Sequence, residues 1–380
     1  MTRPLHFACV FGTRPEAIKM APLVRRLRDT AGIRTSVITT GQHREMLDQV
    51  LQFFRITPDI RLDAMQAGQS ISKLMSRLLA DLDVALGSLE PSVVLVHGDT
   101  MTTLAAAMSS FYGGFPVAHV EAGLRTSNLL SPWPEESNRR LTSVLTRFHF
   151  APTEQAKAAL LAEGHAAGQI WVTGNTVIDA LLDAIALIDG DPARRRQLQD
   201  ALPVPDGQRR LILVTGHRRE NFDGGLAALC EALARIARRG DVEIVFPIHL
   251  NPVVQDVVRG RLSGDPAIHL LPPLDYPTFV TAMRSAHLIL TDSGGIQEEA
   301  PSLGKPVLVL RDTTERPEGI RAGTVRLIGT NTDTVVAETT RLLDDQRHYE
   351  AMATAHNPYG DGKASMRIVE ALQAQLAAAN

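Results

Sequence analysis

Residues 287–318 bring together, in order, the residue types that an anion-binding site needs. An apolar run ends at Thr291, and a loop with Ser293, Gly294 and Gly295 leads into a helical pattern. A strand, a glycine loop and a helix start leave backbone N–H groups pointing at an anion, and a serine before the helix can cap it. Two glycines before a helix are also common where only packing requires them. The order of residue types along the whole segment nevertheless favours a nucleotide-diphosphate site.

Two charged residues follow this loop at useful distances. Glu299 lies about one helical turn after Gly295, where a carboxylate can accept both hydroxyls of a ribose. Arg316 comes after the next apolar run and is a candidate phosphate clamp, because a guanidinium can bind phosphate oxygens through two parallel hydrogen bonds.

Cationic and imidazole side chains follow two other predicted strands. Arg14 stands just before a helix whose Pro15 suits the first turn, and Lys19 lies one turn further on. Both residues fit a plain helix start as well as a ligand site. His217, in the loop Gly216–Asn221 after a strand, is a catalytic candidate, although a lone histidine is more often structural.

Carboxylates occupy the ends of strands and the starts of helices in the first half of the chain. Asp99 is also a good helix N-cap, whereas Glu121 directly follows a strand and is harder to explain by local structure. Glu135 lies at a helix start, where the dipole favours an acid, and could simply pair with Arg139 one turn later. The acids therefore come from the first half and the phosphate-binding groups from the second.

The elements that carry these residues alternate between apolar runs and helical patterns, which is typical of a parallel α/β sheet. We predict strands in two series, at Leu5–Phe11, Arg34–Thr39, Ser92–His97, Pro116–Val120 and Phe148–Ala151, then at Leu211–Thr215, Glu243–Pro247, Ala267–Leu270, Leu288–Thr291 and Pro306–Leu310. The helices between the first strands are predicted at 15–29, 43–54, 70–88, 100–112 and 135–146.

This alternation predicts two Rossmann-like domains that face each other across a cleft, with a ligand at the carboxyl ends of the strands. We expect the first domain to span residues 1–172 and carry the carboxylates, and the second to span residues 173–360 and bind the nucleotide. Residues 361–380 are predicted to form a helix that packs back on the first domain.

The bulk composition excludes several classes of protein. A chain of 380 residues with 44% hydrophobic and 21% charged residues is typical of a soluble globular protein with two or three domains. The net charge of −3 indicates neither a nucleic-acid nor a membrane partner. Cys9 and Cys230 suit a reducing compartment, and Leu5–Phe11 is too short for a signal segment, so we predict a cytoplasmic protein.

Cofactor motifs are missing from the sequence. The loop after the first strand, Gly12–Glu16, holds one glycine, so the G-x-G-x-x-G fingerprint of nicotinamide enzymes is absent. There is no Walker A string and no clustered Cys/His metal signature. Asp81 and Asp83 are spaced as in a D-x-D motif, but a solvated helix face explains them better. We therefore expect no cofactor and no metal.

Six segments together resemble the signature blocks of the non-hydrolysing UDP-N-acetylglucosamine 2-epimerases, in order and over essentially the whole chain. They are Gly12–Glu16, His97–Thr100, His119–Arg125, Pro132–Glu136, Gly216–Asn221 and Asp292–Glu299. The resemblance implies the two-domain fold of one class of glycosyltransferases (GT-B) and a homodimer. It also implies an isomerase that interconverts UDP-GlcNAc and UDP-ManNAc without metal or nicotinamide.

The resemblance also implies roles for individual residues. Asp99, Glu121 and Glu135 would be the carboxylates at the sugar, with His217 as a further catalytic group. The substrate-binding side chains would include Arg139 and the diphosphate ligands Arg14, Lys19 and Arg316, which with His217 meet the diphosphate or the adjacent sugar. Ser293, Gly294 and Gly295 would cradle phosphate, Glu299 would hold the ribose and Phe279 would line the uracil pocket.

Family members bind a second substrate molecule as an activator beside a Gln-His-Arg loop, which is Gln42, His43 and Arg44 in this chain. Some well-studied members have a glutamine where this chain has Glu45, and an arginine near Gly68. These differences predict weak or absent activation.

Inversion at C2 of an N-acetylhexosamine requires removal of a proton that no adjacent carbonyl acidifies. Oxidation at C3 would create such a carbonyl, but it needs a nicotinamide cofactor, and the missing glycine fingerprint argues against it. Expulsion of UDP makes C1 cationic and the C2 proton acidic, so carboxylates on the sugar and cations at the diphosphate predict an elimination route. A glycosyltransferase with a UDP-sugar donor, a hydrolysing 2-epimerase and a non-catalytic UDP-sugar sensor are the alternatives.

Overall fold

A computed structural model describes residues 5–41, 44–66, 68–126, 128–203, 209–216 and 224–377. The chain divides into two compact units. Unit 1 comprises residues 1–183 and 359–380, and unit 2 comprises residues 184–358.

Unit 1 is built on a parallel sheet of seven described strands in the order β3-β2-β1-β4-β5-β6-β7. The strands are β1 (Leu5–Phe11), β2 (Ile33–Thr39), β3 (Ile60–Arg61), β4 (Val93–His97), β5 (Val117–Val120), β6 (Phe148–Ala151) and β7 (Ile170–Val172). All five residues of β4 are buried. Such continuous apolar runs form strands that are covered by helices on both faces.

Four of the described helices of unit 1 begin at a serine or threonine that caps them. The helices of this unit are α1 (Arg14–Arg28), α2 (Arg44–Phe53), α3 (Ile71–Leu89), α4 (Met101–Tyr112), α5 (Glu135–Leu145), α6 (Glu154–Ala162), α7 (Thr176–Asp189) and the last helix of the chain, α16 (Ala364–Ala377). The hydroxyls of Thr13, Ser70, Thr100 and Thr153 each accept a hydrogen bond from a backbone N–H in the first turn of α1, α3, α4 and α6. These caps satisfy donors that a helix start leaves open.

Unit 2 has a parallel sheet of six described strands in the order β10-β9-β8-β11-β12-β13. The strands are β8 (Arg210–Thr215), β9 (Val242–Pro247), β10 (Ile268–Leu271), β11 (Leu288–Thr291), β12 (Val307–Val309) and β13 (Val325–Leu327). The helices are α8 (Pro192–Asp200), α9 (Gly225–Ala237), α10 (Pro252–Leu262), α11 (Tyr276–Ser285), α12 (Gly294–Glu299), α13 (Pro317–Ala322), α14 (Thr332–Asp344) and α15 (Gln346–Ala353). A 3₁₀ helix, Ala300–Leu303, continues α12.

The chain returns to unit 1 at Tyr359, and α16 packs on α1. Asp179 of α7 accepts hydrogen bonds from the backbone N–H groups of Ala364 and Ser365, at 3.1 and 2.8 Å, and so caps α16 from another helix. The first part of α7 therefore belongs to unit 1, and the division falls inside α7 after Asp183, later than the predicted boundary at residue 172.

The predicted α/β class with two parallel sheets is confirmed. The prediction omitted β3, β7 and β13, which lie at the edges of the two sheets and contain two or three residues each. Such short edge strands are only partly buried, so they leave little apolar pattern to detect. Within the described ranges, no helix combines the length and the apolar character needed to cross a membrane.

Candidate functional site

In unit 1, the loops after β1 and β4 are tied together by one buried carboxylate, Glu16. Its Oε2 accepts hydrogen bonds from the N–H groups of Gly12 and Thr13, at 3.0 and 2.8 Å, and its Oε1 accepts one from the hydroxyl of Thr100, at 2.6 Å. Burial raises the pKa of Glu16 above its usual value. The sequence showed Glu16 only as part of a motif, because its partner Thr100 is remote in the chain.

The predicted acid Glu121 lies directly after β5 with a backbone φ of +62°, and its side chain is 8% exposed. Residues other than glycine rarely adopt this left-handed backbone conformation, and such backbone strain is concentrated at functional sites. Lys19 Nζ lies 2.5 Å from Glu121 Oε2, and Asn175 Nδ2 donates to the same oxygen at 2.8 Å. Glu121 is therefore held in one orientation by an ammonium and an amide.

His97, the last residue of β4, lies beside this carboxylate. Its Nε2 is 3.7 Å from Glu121 Oε2. Burial lowers the pKa of His97 to about 4, and the opposing charge of Glu121 does not restore it. His97 is consequently neutral at pH 7, and among the described contacts the cation that pairs with Glu121 is Lys19. The charges of Lys19, Glu121 and Asp99 all act on the pKa of His97.

The second predicted acid, Asp99, is bound by α5. The Nε and Nη2 atoms of Arg139 lie 2.9 and 2.7 Å from Asp99 Oδ2, and Arg139 Nη1 lies 3.1 Å from Glu136 Oε2. Glu136 is fully buried. Among the described contacts, Arg139 thus pairs with Asp99 and Glu136, so the pairing considered for Glu135 is wrong. The register of α5 turns the second glutamate inward.

Glu135 and Arg14 occupy the first positions of α5 and α1, and both are partly exposed. The structure therefore joins Lys19, Glu121 and Asp99 at the carboxyl edge of adjacent strands, with Arg139 behind Asp99. Glu135 stands at the start of the helix that supplies Arg139.

In unit 2, the loop between β11 and α12 has the predicted strand–loop–helix form. Ser293 precedes α12, but its side chain makes no cap bond to the helix, so the predicted capping is wrong. The loop is held otherwise: Ser293 N–H donates to the hydroxyl of Thr291 at 3.0 Å, and Gln297 Nε2 donates to the carbonyl of Ser293 at 3.2 Å.

Arg316 lies over the start of α12. Its guanidinium is within 3.7–4.0 Å of the position that a Cβ on Gly294 would take, and its Nε donates to the buried carboxylate of Glu298. The backbone N–H of Arg316 donates to the hydroxyl of Thr314 at 3.1 Å, and this hydroxyl donates to Gln297 at 2.8 Å. The glycine loop and the guanidinium thus face the same space, as a phosphate site requires.

Glu299 ends α12 and is 8% exposed. The hydroxyl of Tyr276 donates to its Oε2 at 3.3 Å, and its Oε1 lies 3.6 Å from the Cβ position of Gly295. Tyr276 was not predicted as a site residue, because only the packing of α11 on α12 reveals it. Phe279 is half-buried on α11, one turn after Tyr276 and on the same face.

Several residues that were predicted to form the site lie in or beside parts of the chain that the structure does not describe. His217, Gln42 and His43 lie outside the described residues, and Arg44 is described only as the first residue of α2. Glu45, beside it, is exposed in the first turn of α2. In the described part of the chain, no three His, Cys, Asp or Glu side chains gather as a metal ion would require.

Unit 1 therefore offers carboxylates that are held by cations, and unit 2 offers a cradle for an anion beside a second carboxylate. Comparisons with known proteins identify the family that carries these features. A family model described as UDP-N-acetylglucosamine 2-epimerase matches residues 25–373. The UDP-N-acetylglucosamine 2-epimerase of Escherichia coli (strain K12) is 54% identical over 365 residues, which are 96% of this chain and 97% of that relative.

Two solved structures agree with this match. The UDP-GlcNAc 2-epimerase from Neisseria meningitidis, in a structure bound to UDP-GlcNAc, is 48% identical, with a TM-score of 0.91 over 97% of this chain and 100% of that one. The Methanocaldococcus jannaschii enzyme, in complex with UDP-GlcNAc and UDP, is 33% identical, with a TM-score of 0.81 over the same shares. This chain thus has the GT-B type of α/β fold and belongs to the UDP-N-acetylglucosamine 2-epimerase family.

Proposed function

We propose that this chain interconverts UDP-GlcNAc and UDP-ManNAc by inverting C2 of the sugar, with UDP and the two nucleotide sugars as its small-molecule partners. The observation that carries the proposal is the match to the epimerase family over residues 25–373, which includes the carboxylates of unit 1 and the Ser293–Arg316 segment of unit 2. Solved relatives hold UDP-GlcNAc and UDP, and a nucleotide sugar needs both kinds of groups.

The reaction runs by elimination and re-addition. The C1–O bond breaks and its electron pair leaves with UDP, while a carboxylate takes the C2 proton and a C1=C2 double bond forms, giving 2-acetamidoglucal. A proton then reaches C2 from the opposite face, and an oxygen of UDP attacks C1. The carboxylates for these proton transfers are Asp99, Glu121 and Glu135, since each follows a strand or opens a helix of unit 1.

Positive charge at the diphosphate stabilises the departing UDP. In unit 2, Arg316 lies over the start of α12, where Ser293, Gly294 and Gly295 present the backbone N–H groups of the loop and helix. Glu299, steadied by Tyr276, holds the ribose hydroxyls. Phe279 lines the uracil pocket, and Arg14, Lys19 and His217 complete the cationic groups around the diphosphate and the sugar.

Incubation of the protein with UDP-GlcNAc alone tests this function by its product. UDP-ManNAc is expected. Free N-acetylmannosamine with UDP would indicate a hydrolysing epimerase, and an unchanged substrate would indicate a glycosyltransferase that lacks its acceptor or a sensor. Epimerisation in D₂O is expected to place deuterium at C2, because the groups that carry the proton exchange with water.

The reaction path has its own test. Elimination moves a bridging ¹⁸O label at C1 into non-bridging positions of the diphosphate, whereas oxidation at C3 leaves the label in place. Asp99→Asn, Glu121→Gln and Glu135→Gln are each expected to lower kcat by about 10²–10⁴-fold, and at least one to release UDP and 2-acetamidoglucal. Asp83→Asn, on the exposed face of α3, is the matched control and keeps full turnover. Complete retention of the bridging oxygen, without any release of glucal, would refute the elimination path.

We also propose a homodimer. Exposed apolar side chains lie on the three neighbouring helices α3, α4 and α5, at Val84, Phe111, Tyr112, Leu141 and Val144. Large exposed apolar patches on folded domains commonly mark protein interfaces. Sedimentation of the wild-type chain and of Val144→Glu tests this, since a charge within the interface is expected to favour the monomer.

Cys9 and Cys230 are buried free thiols, which suits the proposed cytoplasmic location.

A further inference from the structure

Asn175 lies between β7 and α7, and the sequence assigned it no role in the site. Its side chain is buried. Its Nδ2 donates to Glu121 Oε2 at 2.8 Å, its Oδ1 accepts from the N–H of Val177 at 3.1 Å, and its backbone N–H donates to the carbonyl of Tyr359 at 2.7 Å. Asn175 is therefore fixed by the start of α7 and by the segment at Tyr359, which is remote in sequence, and it binds a carboxylate on a third segment.

Glu121 needs such a partner. Its left-handed backbone conformation sets the direction in which its side chain leaves β5, but leaves the rotation of the carboxylate about the Cγ–Cδ bond undetermined. Lys19 and Asn175 both donate to Oε2, from α1 and from the segment before α7. Two donors on one oxygen, from two directions, fix this rotation.

We propose that Asn175 is a positioning residue for the epimerisation: it orients the carboxylate of Glu121 for proton transfer at C2. The inference rests on the proposed function. Lys19 supplies the charge that balances the carboxylate, and Asn175 supplies direction without adding charge. An amide suits this task because it donates through Nδ2 and still accepts the N–H of Val177, in the first turn of α7, through Oδ1.

Asn175→Asp separates the two roles of the side chain. The substitution keeps the size of the side chain and the acceptor for Val177, but it replaces the donor to Glu121 by a carboxylate oxygen, whose negative charge repels Glu121 from its position. We expect kcat to fall by about 10²-fold, the cost of a misplaced reacting group, while KM and the affinity for UDP change less than about twofold. Asn331→Asp is the matched control, because Asn331 also accepts a helix N-terminal N–H through Oδ1, at 3.1 Å from Thr334, and lies exposed in unit 2.

A stability cycle tests the contact itself. Asn175→Asp is expected to lower the unfolding midpoint of the wild-type chain, and to lower it much less in a Glu121→Gln background, where the amide at position 121 can donate to the new carboxylate. An equal loss in both backgrounds would show that Asn175 serves only α7. If Asn175→Asp alone does not fold, the double variant is expected to recover folding, and its failure to do so while Glu121→Gln folds would overturn the inference.

The outcomes separate this inference from the proposed function. A wild-type enzyme whose kcat survives Asn175→Asp unchanged refutes the positioning role and leaves the epimerase function intact. A wild-type chain that leaves UDP-GlcNAc unchanged refutes the proposed function and the positioning role together.

Discussion

Acidification is expected to destabilise unit 1 through three histidines that are buried in the neutral form. His97, His119 and His149 lie on β4, β5 and β6. Burial lowers the pKa of His97 and of His119 to about 4. Burial, together with the nearby His119, His165 and Arg125, lowers the pKa of His149 to about 3. The unfolded chain binds these protons near pH 6.5, the ordinary value for histidine.

The sign and size of the effect follow from these values. Each histidine has a lower pKa in the folded chain than in the unfolded chain. The free energy of unfolding therefore has its full value above pH 6.5 and decreases as the pH falls towards 4. Between pH 7 and pH 5 the unfolded chain takes up a proton that the folded chain excludes, which lowers the free energy of unfolding by about 2 kcal/mol per histidine. Three histidines together approach the whole stability of an ordinary domain.

Tryptophan fluorescence reports this unfolding selectively. Both tryptophans of the chain, Trp133 and Trp171, belong to unit 1. Trp171 packs against Phe148 and Phe150, the two residues that flank His149 in the sequence. Urea unfolding at pH 7 and pH 5, followed by this signal, is expected to show a large loss of stability in the wild-type chain.

His149→Gln is expected to reduce that loss by about 2 kcal/mol, whatever it does to stability at pH 7, because the substituted side chain does not titrate. His356→Gln, at an exposed position, is the control and should leave the loss unchanged. A wild-type chain equally stable at both pH values, or a His149→Gln variant that loses as much as wild type, would refute the conclusion that these histidines are buried and neutral. Activity measured below pH 6 must be corrected for this unfolding before any limb of a pH profile is attributed to a catalytic carboxylate.

Glu299→Ala and Arg316→Ala are each expected to weaken UDP binding by about 1–3 kcal/mol in calorimetry, and unchanged affinity in both would remove the nucleotide site. Tyr276→Phe, which deletes the hydroxyl that is hydrogen-bonded to Glu299 at 3.3 Å, should weaken UDP binding by about 0.5–1.5 kcal/mol. Gly123→Ala is expected to lower the thermal midpoint, because φ is +89° and a backbone carbonyl oxygen lies 2.3 Å from the Cβ position; a midpoint equal to wild type would contradict this. With Glu45 beside the predicted activator loop, pure UDP-ManNAc should react without added UDP-GlcNAc, and a reaction that starts only after its addition would contradict weak activation.

Much of the fold was readable from the sequence because parallel strands are buried on both faces. The run Val93–Val96 is apolar at every position and predicts β4 directly. The boundary between the units was harder to place, since α7 is one continuous helix that begins in unit 1 and ends in unit 2. Helical periodicity carries no information about which sheet a helix covers.

The candidate site was predicted as a set of strand ends, but not as a set of contacts. Asp99 and Glu121 follow β4 and β5, and the sequence pattern predicts that the carboxyl ends of these parallel strands lie at one edge of a sheet. The partners of Glu121 are Lys19 and Asn175, and each pairing depends on strand order and on loop geometry that no local pattern encodes. Ser293 shows the opposite failure, because its type and position suit a cap that the loop conformation does not use.

The return of the chain to unit 1 at Tyr359 has a consequence for biosynthesis. Synthesis from the N-terminus completes the residues of unit 2 before those of α16, which packs on α1, and of the segment bonded to Asn175. Unit 2 is continuous in the sequence, as an insertion into unit 1, whereas unit 1 lacks the helix that packs on α1 until residues 364–377 are made. A premature stop shortly before Tyr359 would therefore spare the residues of unit 2 and leave unit 1, which carries Asp99 and Glu121, incomplete.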